Sequence, residues 1–174
     1  PISENNLTVN AEKCKIGVKE ISFYGHTISA DGIHPSIDKV EAIKAFPVPK
    51  CQKDIHSFLG MINYLTRFIP NLASETAKLR KLLRKDIPWR WTEEENQVFA
   101  KLKEMLTSDL VVAHYDQSLP TSLIVDASPE GIGAILTQEQ VDGTLKPVYY
   151  ASRALTKQEK KYCQTEREAL AVVW

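Results

Sequence analysis

Asp126 closes a short apolar run, Ser122-Leu123-Ile124-Val125-Asp126-Ala127-Ser128, and Glu168 follows 42 positions later within Thr165-Glu166-Arg167-Glu168-Ala169-Leu170-Ala171. A strand tipped with one carboxylate, followed by a helix bearing another, begins a divalent-metal site for phosphodiester chemistry. Hydrolysis at phosphorus with two ions needs carboxylates gathered around each ion, because Mg²⁺ is small, hard and prefers oxygen. The small residue after Asp126 would let metal and phosphate come close. Gly131-Ile132-Gly133-Ala134 would make a strand narrow enough for an adjacent duplex. Plainer readings stand beside these. Asp126 suits a turn or helix cap, given Ser128-Pro129 behind it, and an exposed helical Glu beside Arg167 is ordinary. Two carboxylates do not complete such a site, and the chain stops six residues after the second.

A second candidate lies at residues 53–69. On a helical wheel with Lys53 at zero, Ile55, Phe58, Leu59, Ile62, Leu65 and Ile69 fall between roughly 120° and 240°. Lys53, His56, Ser57, Gly60, Tyr64 and Arg67 fall opposite. One face is core and the other is basic and hydroxylic. A glycine inside a helix costs about 0.5–1 kcal/mol against alanine, so either a sugar-phosphate backbone or a neighbouring helix should need the room at Gly60. Charge points the same way. The chain is neutral as a whole, yet residues 50–90 carry nine Lys/Arg against three Asp/Glu, and residues 91–118 carry two against six. A local excess of this size is a plausible polyanion footprint, or else a solvated basic helix surface.

The elements that must position these residues can be read in order. Residues 16–33 alternate in short bursts and end in Asp31-Gly32, which predicts a hairpin or strand pair. Ser36 opens a helix with Ile37, Val40 and Ile43 on one side, closed by Pro47 and Pro49. A basic helix over 73–83 carries Lys78, Arg80 and Lys81, with Arg84 and Lys85 just after it. Thr92-Glu93-Glu94-Glu95 is a capping box for another, with Val98, Phe99, Leu102, Met105 and Leu106 as its apolar stripe. Trp89 and Trp91 lead into that helix and read as core anchors rather than base-stacking platforms. Three strands follow, at 122–125, 133–137 and 148–152. Thr156-Lys157-Gln158-Glu159 then caps a helix running, with a break, through Glu168 to Trp174. Antiparallel strands followed by a helix make the front half of an α/β domain, with a boundary near 110–120.

Composition narrows the classes. Hydrophobic residues at 43% and charged residues at 25% suit a globular domain, and no apolar stretch is long enough to span a bilayer. Cys14, Cys51 and Cys163 are widely spaced with no Cys-x-x-Cys, and the four histidines share no ligand-like spacing. A disulfide framework or zinc site is not expected, and a reducing compartment is the default. The chain opens on Pro1 and ends on a helical pattern with no stop signal, so it reads as an internal piece of a longer polypeptide.

The stretches Phe23-Tyr24-Gly25-His26, Ser29-Ala30-Asp31-Gly32-Ile33, Ser57-Phe58-Leu59-Gly60, Asn63-Tyr64 and Arg67-Phe68-Ile69-Pro70 resemble the palm end and thumb of a gypsy-type LTR-retrotransposon reverse transcriptase. Asp126-Ala127-Ser128, Gly131-Ile132-Gly133-Ala134, Tyr150-Ala151-Ser152-Arg153, Leu155-Thr156 and Thr165 to Ala171 resemble the start of that polyprotein's RNase H. The resemblance covers nearly the whole chain. It implies a mixed α+β or α/β architecture: palm-end hairpin over 1–33, thumb helices over 34–90, linker helix over 91–117 and the N-terminal half of an RNase H-like mixed sheet with helix over 118–174. It implies that Asp126 and Glu168, rather than Glu166, are metal-binding and catalytic, with Mg²⁺ or Mn²⁺ as cofactor. Lys53, His56, Gly60, Tyr64 and Arg67 would follow a template–primer duplex. The partners implied are that duplex, an RNA–DNA hybrid and the remainder of the polyprotein, with no membrane, in an intracellular setting. The parent would copy RNA into DNA and cut RNA in the hybrid. No Asp-Asp pair occurs in the sequence, so the polymerase signature is missing, and the isolated chain is expected to be inactive. The alternative is a non-catalytic nucleic-acid-binding module that resembles RNase H.

Overall fold

The computed structural model describes residues 3–108 and 110–174. The expected strand pair is a three-stranded antiparallel meander: β1 (Glu20–Phe23), β2 (His26–Ser29) and β3 (Gly32–Pro35). Tyr24 and Gly25 make the first turn, both at positive φ (47° and 74°), as a two-residue hairpin with the native twist requires. At the second turn Gly32 has φ +141°, and a methyl group there would lie 2.5 Å from the Val112 carbonyl oxygen. That close approach lets Ile33 and Val112 exchange backbone hydrogen bonds of 2.9 and 3.1 Å, which tie the first sheet to the segment leading into the second.

Helix α1 (Ile37–Ala45) buries Ile43, while Ile37 is 71% exposed and faces an open groove with Glu20, Thr27 and His34. The expected stripe therefore holds only at its C-terminal end. Helix α2 (Gln52–Asn63) is shorter than the expected 53–69. Pro70 forces Ile69 into extended backbone (φ −125°, ψ 121°) and would clash with the Thr66 carbonyl in a continued helix. The Thr66 hydroxyl also donates to the Asn63 carbonyl at 2.6 Å, competing with helical bonding. Residues 66–68 tighten into a 3₁₀ turn, and the apolar face survives the change: Ile55, Phe58, Leu59, Ile62, Leu65, Phe68 and Ile69 are all buried.

The basic helix expected over 73–83 is two short pieces, α3 (Leu72–Glu75) and α4 (Ala77–Lys81). They part at Thr76, whose fully buried hydroxyl donates to the Leu72 carbonyl at 2.7 Å and accepts the Arg80 Nε–H at 2.9 Å. Helix α5 (Glu93–Thr107) starts where the capping box predicts, with the Thr92 backbone N–H donating to Glu95 at 2.9 Å. Phe46, Phe58, Phe99 and Trp91 form a chain of rings at 5.4, 4.7 and 5.9 Å between centroids. Trp89 stacks on Trp91 at 6.0 Å, and both pack on this core, as the anchor reading expects.

The second sheet is an antiparallel meander of β4 (Thr121–Ala127), β5 (Gly131–Glu139) and β6 (Leu145–Ala154), with β4 at one edge. All described pairings are antiparallel. Thr156 and Glu159 make the reciprocal capping bonds (2.7 and 3.3 Å), but only one 3₁₀ turn follows, over Glu159–Lys161. The chain then restarts at Cys163, whose N–H donates to Glu166 at 2.8 Å, giving α6 (Gln164–Val173). Val125, Ala127, Ile132, Leu155, Leu170 and Ala171 pack this helix to the sheet. Among the described residues no helix is long and apolar enough to cross a membrane.

Candidate metal-binding carboxylates and nucleic-acid surface

Asp126 is the penultimate residue of β4, opposite Gly133 of β5, and is exposed. It caps no turn. Ser128 does that work, its Oγ accepting the N–H groups of Glu130 and Gly131 at 3.2 and 3.0 Å. Glu168 sits one turn into α6. Asp126 and Glu168 line one open cavity of about 460 Å³ with Val125, Thr165, Ala169 and Val172. Arg167 does not neutralise Glu168, because its guanidinium donates to the Lys160 carbonyl at 3.1 Å. Glu166 is occupied as the helix cap, which separates it from Glu168 in role. The Glu168 carboxylate accepts from Gln164 Nε2 at 3.0 Å, and the same nitrogen donates to the Ala127 carbonyl at 2.9 Å. Two exposed carboxylates on one cavity have the hard-oxygen chemistry that Mg²⁺ or Mn²⁺ requires. They are right in kind but few: no group of three or more His, Cys, Asp or Glu converges among the described residues.

The glycines of β5 serve a different purpose from the one expected. A methyl at Gly133 would run into the side-chain carbonyl of Asn71, which caps α3 in the left-handed conformation (φ 51°). One at Gly131 would lie 2.8 Å from the Arg153 carbonyl and 3.2 Å from the Ala73 methyl. The narrow strand seats the α3 segment, not a duplex. Hydroxyls complete the seam: the Ala73 N–H donates to Ser152 Oγ at 3.2 Å, and Ser74 Oγ meets Ser128 Oγ at 2.8 Å.

Of the five residues expected on one helix face, Lys53, His56 and Gly60 are exposed along α2. No atom lies within 4 Å of where a Gly60 methyl would project, so helix packing is not what requires this glycine. Tyr64 and Arg67 lie beyond the helix end. The Tyr64 ring stacks on His26 at 5.0 Å and 14°, with Lys39 Nζ 5.6 Å above it. Burial, and then the nearby Arg67 charge, push the His26 pKa down. The Arg67 guanidinium sits 5.6 Å from the Phe68 ring and 5.4 Å from Tyr149 of β6. The pattern of 3.6 residues per turn assigned both to that face, and both lie past Asn63, where the helix ends.

The basic segment is also less free than its count implies. Lys78 pairs with Glu94 at 2.8 Å, Arg84 with Asp86 at 2.7 Å and Lys81 with Glu130 at 3.7 Å. Arg80 turns inward to Thr76, and burial lowers its pKa. Part of the basic excess is therefore answered within the fold, by Asp86, Glu94 and Glu130.

A further ion pair sets a pH dependence. Arg153 donates to both oxygens of Glu159 at 2.8 and 3.0 Å, and the Thr156 N–H adds a third bond. These hold the Glu159 carboxyl at about 2, against an ordinary value of 4.5. A depressed folded pKa stabilises the fold above the unfolded value and loses that stabilisation as pH falls through the folded one. In calorimetry, Glu159→Gln is expected to melt below the unsubstituted chain by a constant gap above pH 4.5, a gap that closes between pH 4.5 and about 2. A gap independent of pH would show that the pair contributes nothing through its charge.

Sequence reasoning missed Gln164, Ser128 and the fully buried Gln138, whose amide bonds Asp116 in the turn before β4 and Thr121 at the start of that strand. Gln164 had a local signal in its i, i+4 spacing to Glu168, and Ser128 had one in the turn it opens with Pro129, Glu130 and Gly131. Gln138 acts across the fold.

Comparison with known proteins places this geometry. Residues 91–174 match the RNase H-like domain found in reverse transcriptase. The Tf2-3 and Tf2-4 transposon polyproteins of Schizosaccharomyces pombe are each 34% identical to the chain over 168 residues, 97% of its length. The chain spans 13% of the length of each. The foamy viral protease-reverse transcriptase in complex with RNA/DNA hybrid has a similar fold, with TM-score 0.73 and 23% identity over 89% of this chain and 21% of that one. The same viral protein in complex with dsDNA matches with TM-score 0.73 and 23% identity over 90% of this chain and 33% of that one. The chain belongs with the LTR-retrotransposon polyproteins, and its residues 91–174 are an RNase H-like domain of the kind found in reverse transcriptase.

Proposed function

We propose that this chain contributes the thumb of an RNA-directed DNA polymerase and the opening half of an RNase H, and that the parent protein cleaves RNA in RNA–DNA hybrids. The observation that carries this is the shared cavity of Asp126 and Glu168, brought together from a strand tip and a helix 42 positions apart. Asp126 and Glu168 would hold Mg²⁺ or Mn²⁺, which when bound supplies Lewis-acid stabilisation of charge at the scissile phosphate. The edge strand presents Asp126 without a competing cation, and the Gln164 amide holds Glu168 toward the same cavity. Lys53 and His56 grip phosphates along α2 while Gly60 leaves room for the sugar-phosphate backbone. Tyr64 and Arg67 brace that helix against the two sheets and border the track. The neighbouring fold of a reverse transcriptase solved with RNA/DNA hybrid and with dsDNA supports nucleic acid as the partner class. Polymerase chemistry, an intracellular setting and association with the remaining polyprotein belong to the same proposal.

Phosphate gripping has a direct test. Log affinity for an RNA–DNA hybrid falls with log salt by about 0.9 for each neutralised phosphate. Lys53→Ala is expected to reduce that slope by about one, measured by fluorescence anisotropy across a salt series. An unchanged slope would remove α2 from the nucleic-acid track. The nuclease assignment is decided by hybrid cleavage in a Tf2-type polyprotein carrying residues 1–174 in place of its matching segment, compared with the Asp126→Asn form.

A further inference from the structure

We infer that Gln164 is a positioning residue that sets the spacing between Asp126 and Glu168; the inference rests on the metal-binding reading of those two carboxylates. Gln164 is the first residue of α6 and Glu168 stands one turn later, on the same side. A side-chain amide has two N–H hydrogens, and both have acceptors here: the Ala127 carbonyl at 2.9 Å and the Glu168 carboxylate at 3.0 Å.

The first acceptor is available for a reason. Ser128 N–H bonds across to the Gly131 carbonyl at 2.8 Å, so Ser128 faces β5 and Ala127 presents its carbonyl to the open edge of β4. Backbone groups alternate sides along a strand. That edge carbonyl belongs to the residue directly after Asp126. One amide therefore grips the strand that carries the first carboxylate and the side chain of the second.

The remaining amide atom is oriented too. Arg167 Nη1 lies 3.5 Å from Gln164 Oε1, which turns the oxygen away from Glu168 and the nitrogen toward it. Glu168 is exposed and its side chain would otherwise rotate freely. A donor on one carboxylate oxygen restricts that rotation and leaves the other oxygen for a cation. Outer partners of this kind tune metal sites strongly, and removing one typically weakens metal affinity about tenfold or more.

The test uses Mn²⁺ alone, titrated into residues 1–174 and followed by the electron paramagnetic resonance signal of free Mn²⁺. Gln164→Met keeps the length and apolar stem but loses both hydrogen bonds. It is expected to raise the Mn²⁺ dissociation constant about tenfold, with an unchanged circular dichroism spectrum. A residue acting only as a staple would lower the melting temperature and leave Mn²⁺ affinity intact, and that result overturns the inference. Asp126→Asn separates the two layers: if it weakens Mn²⁺ binding while Gln164→Met does not, only the role of Gln164 falls. If wild type and Asp126→Asn bind alike, the paired-carboxylate reading falls and takes this inference with it. A second measurement avoids any folding defect of the variant. In the unsubstituted chain, substoichiometric Mn²⁺ is expected to broaden the Gln164 side-chain amide signal before those of Gln52 and Gln140. Loss of the Gln52 and Gln140 signals first would equally refute the role.

Discussion

Asp126→Asn, introduced into a Tf2-type polyprotein carrying residues 1–174, is expected to lower cleavage of RNA in an RNA–DNA hybrid about a thousandfold, equivalent to roughly 4 kcal/mol of transition-state stabilisation. Hybrid affinity is expected to stay within about twofold, because on the proposed reading gripping belongs to phosphate contacts remote from this carboxylate. Asn preserves the shape of Asp and removes its charge, so strand β4 and its pairing with Gly133 are undisturbed. The side chain takes no ion pair within the described residues that the substitution would break. Asp126 therefore separates chemistry from folding cleanly. Cleavage that persists at the unsubstituted rate would remove Asp126 from the chemistry, and absence of cleavage in the unsubstituted form would favour the non-catalytic binding module.

The second large effect concerns stability. Gly32→Ala is expected to destabilise the chain by about 3–4 kcal/mol in urea denaturation, from two sources. Positive φ in a non-glycine residue costs about 1–3 kcal/mol, and forcing a methyl into a filled site costs about 1–3 kcal/mol. The collision is with the backbone carbonyl of Val112 at 2.5 Å, which cannot rotate aside as a side chain can. It would part the bridge between Ile33 and Val112, the link between the first sheet and the approach to β4. Gly143 is the control. It also has positive φ (80°), but nothing lies within 4 Å of the position a methyl would take. Gly143→Ala should carry the conformational cost alone, about 1 kcal/mol. Equal effects at the two glycines would mean that the Val112 contact does not constrain the fold.

The α2 face shows how far periodicity reaches. Ile55, Phe58, Leu59, Ile62, Leu65, Phe68 and Ile69 are all buried although the helix ends at Asn63, because the 3₁₀ turn at 66–68 keeps Leu65, Phe68 and Ile69 pointing inward. Burial follows the hydrophobic pattern, which is a local property. Where the polar side chains go after the helix stops depends on what they meet. Tyr64 meets His26 and Arg67 meets Tyr149, residues 38 positions before and 82 after. The charge blocks behaved similarly, since Lys78 and Lys81 find Glu94 and Glu130 only once the chain has folded.

By itself the sequence determined the order of the main helices and strands, the capping box at Thr92, the strand tip at Asp126 and the helical seat of Glu168. These depend on neighbours within one or two turns, where propensity, capping and periodicity act. Only the tertiary structure decided that Asp126 and Glu168 share a cavity, that Gln164 joins them, and that Gly131 and Gly133 seat Asn71 and Ala73 instead of a duplex. The physical reason is range. A glycine's missing side chain says that something comes close, and a carboxylate says that something positive is wanted. What arrives is set by packing between segments tens of residues apart.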